Sequence, residues 1–214
     1  MRASYLMPLA LISDPCAAQA AGTEANSAQI LGLLQSLNAE LLANKSATAV
    51  LEKWCADHRI ADVPKIIARQ IDGPVRAPSE QTRARLKIDA DTKVEFRNVA
   101  LVCGDIVLSV AQNWYVPERL TPAMNTVLTS SETPFGKVIA PLNPTRQTVS
   151  SSLLWSPFPK GWEMNAPPPP AVAGEAVTVP INLFEHRAIL STGQGVPIAE
   201  VVETYQRGVL AFGR

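Results

Sequence analysis

Apolar residues recur at helical spacing early in the chain. Ile30, Leu31, Leu33, Leu34, Leu37, Leu41 and Leu42 fall at i, i+3, i+4 and i+7, which predicts a helix over 27–43. Asn44 and Lys45 break the pattern, and Ser46 is a ready N-cap for a second helix from about Ala47 to His58. Val50, Leu51, Trp54 and Cys55 share one face of it, so the pair reads as a helical hairpin covering a sheet. Period-two patterns then take over. Residues 66–71, Ile66-Ile67-Ala68-Arg69-Gln70-Ile71, predict a short strand, closed by Asp72-Gly73-Pro74 and Ala77-Pro78. From Val94 to Val102 the chain alternates, with Glu95, Arg97, Val99 and Leu101 on one face and Phe96, Asn98, Ala100 and Val102 on the other. Cys103-Gly104-Asp105 is a turn signal, Ile106–Val116 the returning strand, and Pro117 its end. Thr121-Pro122 starts a short helix to about Leu128. Thr133-Pro134-Phe135-Gly136 reads as a turn into a strand over 137–140, and Thr148–Trp155 as a further strand. The last two strands lie within 177–191 and 198–210, with Thr192-Gly193-Gln194-Gly195 between them. Antiparallel hairpins preceded by helices predict an α+β domain: a single antiparallel sheet with helices on one face.

The 214 residues fit one domain of ordinary size, here 23–214 with a proline-rich loop at 157–170. Lys plus Arg and Asp plus Glu number 19 each, whereas a dedicated nucleic-acid binder carries a basic excess, so no nucleic-acid partner is expected. Basic residues do outnumber acidic ones between Lys65 and Lys87, as a solvated face or an anion-attracting rim. No apolar run reaches the length of a membrane span. His58 and His186 with Cys16, Cys55 and Cys103 have no zinc-site spacing. Nucleotide, zinc-protease and serine-hydrolase motifs are absent too, which excludes the easily read members of those classes. At the start, Arg2, the apolar stretch Tyr5–Ile12 and then Ala18-Gln19-Ala20 follow the order of a secretory leader, with cleavage after about Ala20. Residues 1–22 are therefore expected to be a leader of a periplasmic or secreted protein, or else the disordered tail of a cytoplasmic one. Export would leave Cys55 and Cys103, an even pair that can form a disulfide or stay as two buried thiols.

Several pieces occur in a set order. Phe96-Arg97-Asn98-Val99 with Leu101 and Cys103 is followed by Trp114-Tyr115-Val116-Pro117 and Arg119-Leu120-Thr121. Then come Thr133-Pro134-Phe135-Gly136 and Gly195-Val196-Pro197, leading to Val202-Glu203-Thr204-Tyr205. Over roughly residues 80–210 this order resembles bacterial chorismate pyruvate-lyases and the related UTRA ligand-binding domains. The resemblance implies a chorismate-lyase-like sheet and a cofactor-free elimination of pyruvate from chorismate that leaves 4-hydroxybenzoate. The alternative it implies is a non-catalytic binding module for a small aromatic carboxylate. By position, Arg97 matches the family's carboxylate-gripping arginine and Glu203 its buried glutamate near the reacting oxygen. Phe135-Gly136 matches the turn whose backbone approaches the ligand. Arg97 and Glu203 would then be catalytic, and Arg97, Phe135, Gly136 and Glu203 substrate-binding. Against the family pattern, the last hairpin carries one extra residue between Pro197 and Glu203, as a bulge would.

The residues themselves leave two arrangements open. Arg97 shares its strand face with Val99 and Leu101, and Glu203 with Val201 and Tyr205. A charge on an apolar face is paired or bound to a ligand. Arg97 and Glu203 either face a ligand or form a structural ion pair with each other. Glu200, on the opposite face from Glu203, is a weaker candidate, and His186 either lines the pocket or is a satisfied strand histidine.

Overall fold

The computed structural model describes residues 15–164 and 177–212. Helices α1 (Pro15–Ala43) and α2 (Ala47–Asp57) open the fold. Strand β1 (Ile66–Gln70), helix α3 (Glu80–Leu86) and the hairpin β2 (Glu95–Cys103) and β3 (Ile106–Tyr115) follow. Helices α4 (Pro122–Ser130) and α5 (Phe135–Val138) lead to β4 (Thr145–Leu153), β5 (Asn182–Ser191) and β6 (Pro197–Gln206). The strands form a single six-stranded sheet in the order β1-β2-β3-β6-β5-β4, with every neighbouring pair antiparallel.

Local chemistry sets the element starts. The Ser46 hydroxyl accepts from Ala49 N at 3.2 Å and the Thr121 hydroxyl from Met124 N at 3.2 Å, each satisfying one of the free N–H groups of a helix N-terminus. Helix α1 begins twelve residues before the predicted start at 27. Alanine is the best helix former, so the alanine-rich stretch 17–21 extends the helix beyond its packed stripe, which starts near Leu34. The expected strand over 137–140 is instead α5 followed by a 3-10 turn, Ala140–Leu142. Phe135, Val138 and Ile139 are the buried residues there, and the spacing i, i+3, i+4 is helical, not alternating. The strand expected over 148–155 begins three residues earlier, at Thr145. Residues 1–14 and the proline run Pro167–Pro170 lie outside the described residues. The extra residue of the last hairpin is Ile198: Leu190 faces Ala199 while Ser191 faces Pro197, a bulge in β6.

The sheet carries α1, α2, α4 and α5 against one face. Under α1 and α2 lies a core of Leu34, Leu37, Leu41, Leu51, Trp54, Leu108, Phe184 and Tyr205. Under α4 and α5 lies a smaller one of Tyr115, Leu128, Phe135, Ile139, Leu190 and Ile198. Short α3 packs against the other face through Arg85, which bonds Glu200 at 3.2 Å. Cys55 of α2 and Cys103 of β2 form a disulfide with Cα atoms 6.5 Å apart. It closes a 48-residue separation, which on chain-entropy grounds contributes about 4 kcal/mol.

Candidate functional site

Cross-strand register puts the site residues on one sheet face. Arg97, Asn113, Val201 and Ala188 form one row across β2, β3, β6 and β5. Val99, Ala111, Glu203 and His186 form the next row. Tyr115, Ala199, Leu190 and Arg146 form the row on the far side of Arg97. Between this face and the helices is a cavity of about 50 Å³, room for about four water-sized groups. Its floor is Val99, Ala111 and Val201, its walls are Ser46 and Thr48 at the start of α2, and Phe135 and Gly136 of α5 close it. A Cβ on Gly136 would sit 3.4 Å from Thr48 Oγ1, so the two helices touch there. Lys137 holds them together through Glu52 at 2.5 Å. Asn113, Arg146 and Glu203 are polar members of the lining.

Glu203 does line the cavity, but its partner is not Arg97. The Arg146 guanidinium donates to Glu203 Oε2 at 2.5 Å, and the Tyr205 hydroxyl donates to the same oxygen at 3.2 Å. The side chains of the pair are only 4% and 9% exposed. Burial opposes the charge on Arg146, but Glu203 and Tyr205 together outweigh that and hold the guanidinium above its ordinary value. Tyr205, fully buried, is pushed well above the usual tyrosine range by burial and then by the Glu203 charge. The Arg97–Glu203 ion pair is therefore overturned: four strand positions separate Arg97 on β2 from Arg146 on β4, and it is Arg146 that reaches back to β6. Arg146 lies outside the strand that the sequence predicts from Thr148, because β4 starts at Thr145. In the longer strand Arg146 and Thr148 share a face.

Arg97 stands beside the cavity and not in its lining. Its cross-strand neighbour Asn113 and its same-face neighbour Val99 both line the wall. It is 4% exposed. Nη2 donates to the backbone oxygens of Ser131 and Thr133 at 3.3 and 3.2 Å. These carbonyls belong to the loop after α4, which is folded by the Ser131 hydroxyl accepting from Thr133 N at 3.2 Å. Nε and Nη1 are buried with no partner. Among the described residues no carboxylate lies within ion-pair distance of Arg97. Burial pulls its pKa below the ordinary value, only partly opposed by Tyr115. Two carbonyls satisfy part of the guanidinium and leave its charge without an acidic partner among the described residues.

The other candidates have structural positions. Glu200 is fully buried on the opposite face between Arg85 and Arg187. Most of the basic residues of 65–87 are likewise engaged, Arg69 with Asp105, Arg76 with Gln112 and Arg83 with the carbonyls of Asp89 and Thr92. His186 lies directly across from Glu203, fully buried, with Nε2 2.7 Å from Asn38 Oδ1 of α1 and Nδ1 unpartnered. Burial lowers its pKa to about 4, against the pull of Glu203. The folded protein thus keeps His186 neutral where the unfolded chain, titrating near 6.5, already takes a proton. Stability should be full above pH ~6.5 and fall as pH drops to about 4, by roughly 3 kcal/mol in all at 1.36 kcal/mol per pH unit. Urea midpoints from pH 4 to 7 should show this slope, and His186→Phe should flatten it; an unchanged slope would exclude His186 as its source.

No family model matches the chain. It is 42% identical over 192 residues to the uncharacterized protein y4mC of Sinorhizobium fredii, covering 89% of this chain and 81% of that one. Among solved structures, the effector domain of PhnF from Mycobacterium smegmatis overlays 66% of this chain and 81% of its own, at a TM-score of 0.43 and 12% identity. YydK of Bacillus subtilis, a possible transcriptional regulator, overlays 65% of this chain at a TM-score of 0.40 and 13% identity, and 58% of its own length is spanned.

Proposed function

The chain belongs to the family of the Sinorhizobium fredii protein y4mC, and within it we propose that this protein is a binding module for a small aromatic carboxylate. One observation supports the reading above the rest: Arg97 is a buried guanidinium with two unpartnered nitrogens and no acidic partner among the described residues. A guanidinium keeps its charge and forks onto a carboxylate, so the ligand's carboxylate completes it. Phe135 packs against Tyr115, ring centroids 5.5 Å apart and ring planes tilted by 55°, beside the Val99, Ala111 and Val201 floor. The cavity of about 50 Å³ is smaller than an aromatic carboxylate, so binding requires α5 to move away from the start of α2, and these residues are then the ring's apolar wall. Asn113 beside Arg97 and Glu203 in the next row are polar groups of the lining.

Elimination of pyruvate from chorismate asks more of the site, because Glu203 would have to deliver a proton. Here its Oε2 already accepts from both Arg146 and Tyr205, and that favours binding over turnover. The leader-like residues 1–22 and the Cys55–Cys103 disulfide support a periplasmic or secreted setting.

Calorimetry with 4-hydroxybenzoate, benzoate and phenol tests the proposal. The two carboxylates should release heat and phenol should not, and the protein should form no pyruvate from chorismate above an Arg97→Met control. Pyruvate release would replace binding with lyase activity. Absence of heat with every carboxylate would refute the site.

A further inference from the structure

The two edges of the sheet are treated differently. At β1 the chain closes its own edge: Ala68 N donates to Glu132 O at 2.7 Å and Ile66 N to Glu52 Oε1 at 3.0 Å. At β4, among the described residues, backbone hydrogen bonds run only toward β5. Eight of its nine residues are exposed, and Arg146 alone is partly covered. The strand reads Thr-Arg-Gln-Thr-Val-Ser-Ser-Ser-Leu. It holds no proline, lysine or acid, and its one charge is spent on Glu203. Native proteins ordinarily blunt such an edge with charge, proline or cover; the bulge at Val149 is the one such device here. Beyond the strand, Leu153, Leu154, Trp162 and Met164 are exposed, and Leu154, Phe158 and Trp162 line an open apolar groove against Leu31 of α1.

We propose that β4 and the apolar flank after it form the surface on which a second copy of this chain pairs, antiparallel, through its own β4. Antiparallel pairing about a two-fold makes a strand its own complement, and an uncharged strand meets no like charge there. Area selects a folded partner over a peptide. A nine-residue edge is about 30 Å long and a sheet about 10 Å thick, so the edge alone offers roughly 300 Å². A stable pair buries about 800 Å² on each side. The difference has to come from the Leu153–Met164 flank, which an extended peptide on the edge would leave uncovered and a second domain would cover.

The purified chain should sediment at twice its 23.0 kDa mass in the micromolar range. Ser150→Lys/Ser152→Lys puts edge charges on residues outside the cavity lining, and Leu154→Lys charges the flank. Each should raise the dimer dissociation constant at least tenfold and leave far-UV circular dichroism and 4-hydroxybenzoate heat unchanged. A chain that stays monomeric up to 100 μM would overturn the proposal and leave the edge to an extended peptide. A dimer that neither variant weakens would overturn it in favour of another surface. Loss of the ligand heat in the wild type would bear on the cavity alone.

Discussion

Replacing Glu203 by alanine is expected to destabilise the protein by about 3–5 kcal/mol, the cost of leaving one partner of a buried ion pair alone. Arg146 would remain with its side chain 4% exposed, and the Tyr205 hydroxyl would lose its acceptor. For a domain of this size that is a fall of roughly 6–20 °C in Tm. The double change Arg146→Met/Glu203→Met should recover most of it, because replacing a whole buried pair by apolar groups is often neutral or stabilising. Urea midpoints of the two single variants and the double variant test this. Lys53–Asp57, exposed on both sides, serves as the control, with at most about 1 kcal/mol expected. If Glu203→Ala lost no more than the control, the pair would not be what ties β4 to β6.

Arg97→Met should behave in the opposite way. Without ligand the wild-type side chain is a buried cation balanced only by the carbonyls of Ser131 and Thr133, so an apolar replacement of similar length should leave stability unchanged or raise it. With ligand, the lost charge pair is worth about 2–5 kcal/mol, a fall of at least about 30-fold in affinity for 4-hydroxybenzoate. Melting temperature and calorimetry on the same protein separate the two effects. Equal loss of stability and affinity would mean that Arg97 holds the 131–133 loop in place and does not receive an anion.

These opposed expectations for two buried arginines on one sheet face could not be drawn from their sequence positions. Alternation marked Arg97 as a charge on an apolar face, and the same held for Glu203 against Val201 and Tyr205. That is a local fact of period two and survives in the structure. Which charge neutralises which is set by strand order. Register brings β6 between β3 and β5, so Glu203 is two strands from Arg97 and within reach of a long side chain on β4. A serine-rich strand with weak alternation gave little reason to look there.

The sequence by itself determined the helix starts at Ser46 and Thr121-Pro122, the β2–β3 hairpin and the single antiparallel sheet. Each rests on neighbours in the chain: a hydroxyl three residues from an N–H, or side chains alternating across a pleat. The tertiary structure decided between the strand expected over 137–140 and the helix that the spacing of Phe135, Val138 and Ile139 also allows, because these side chains pack against Tyr115 and the sheet. It also decided that Cys55 meets Cys103, that Arg146 takes Glu203, and that Arg97 is left without an acid. Those outcomes depend on distances between segments far apart in the chain. Such distances follow from the order in which strands pair and helices dock, which no local pattern encodes.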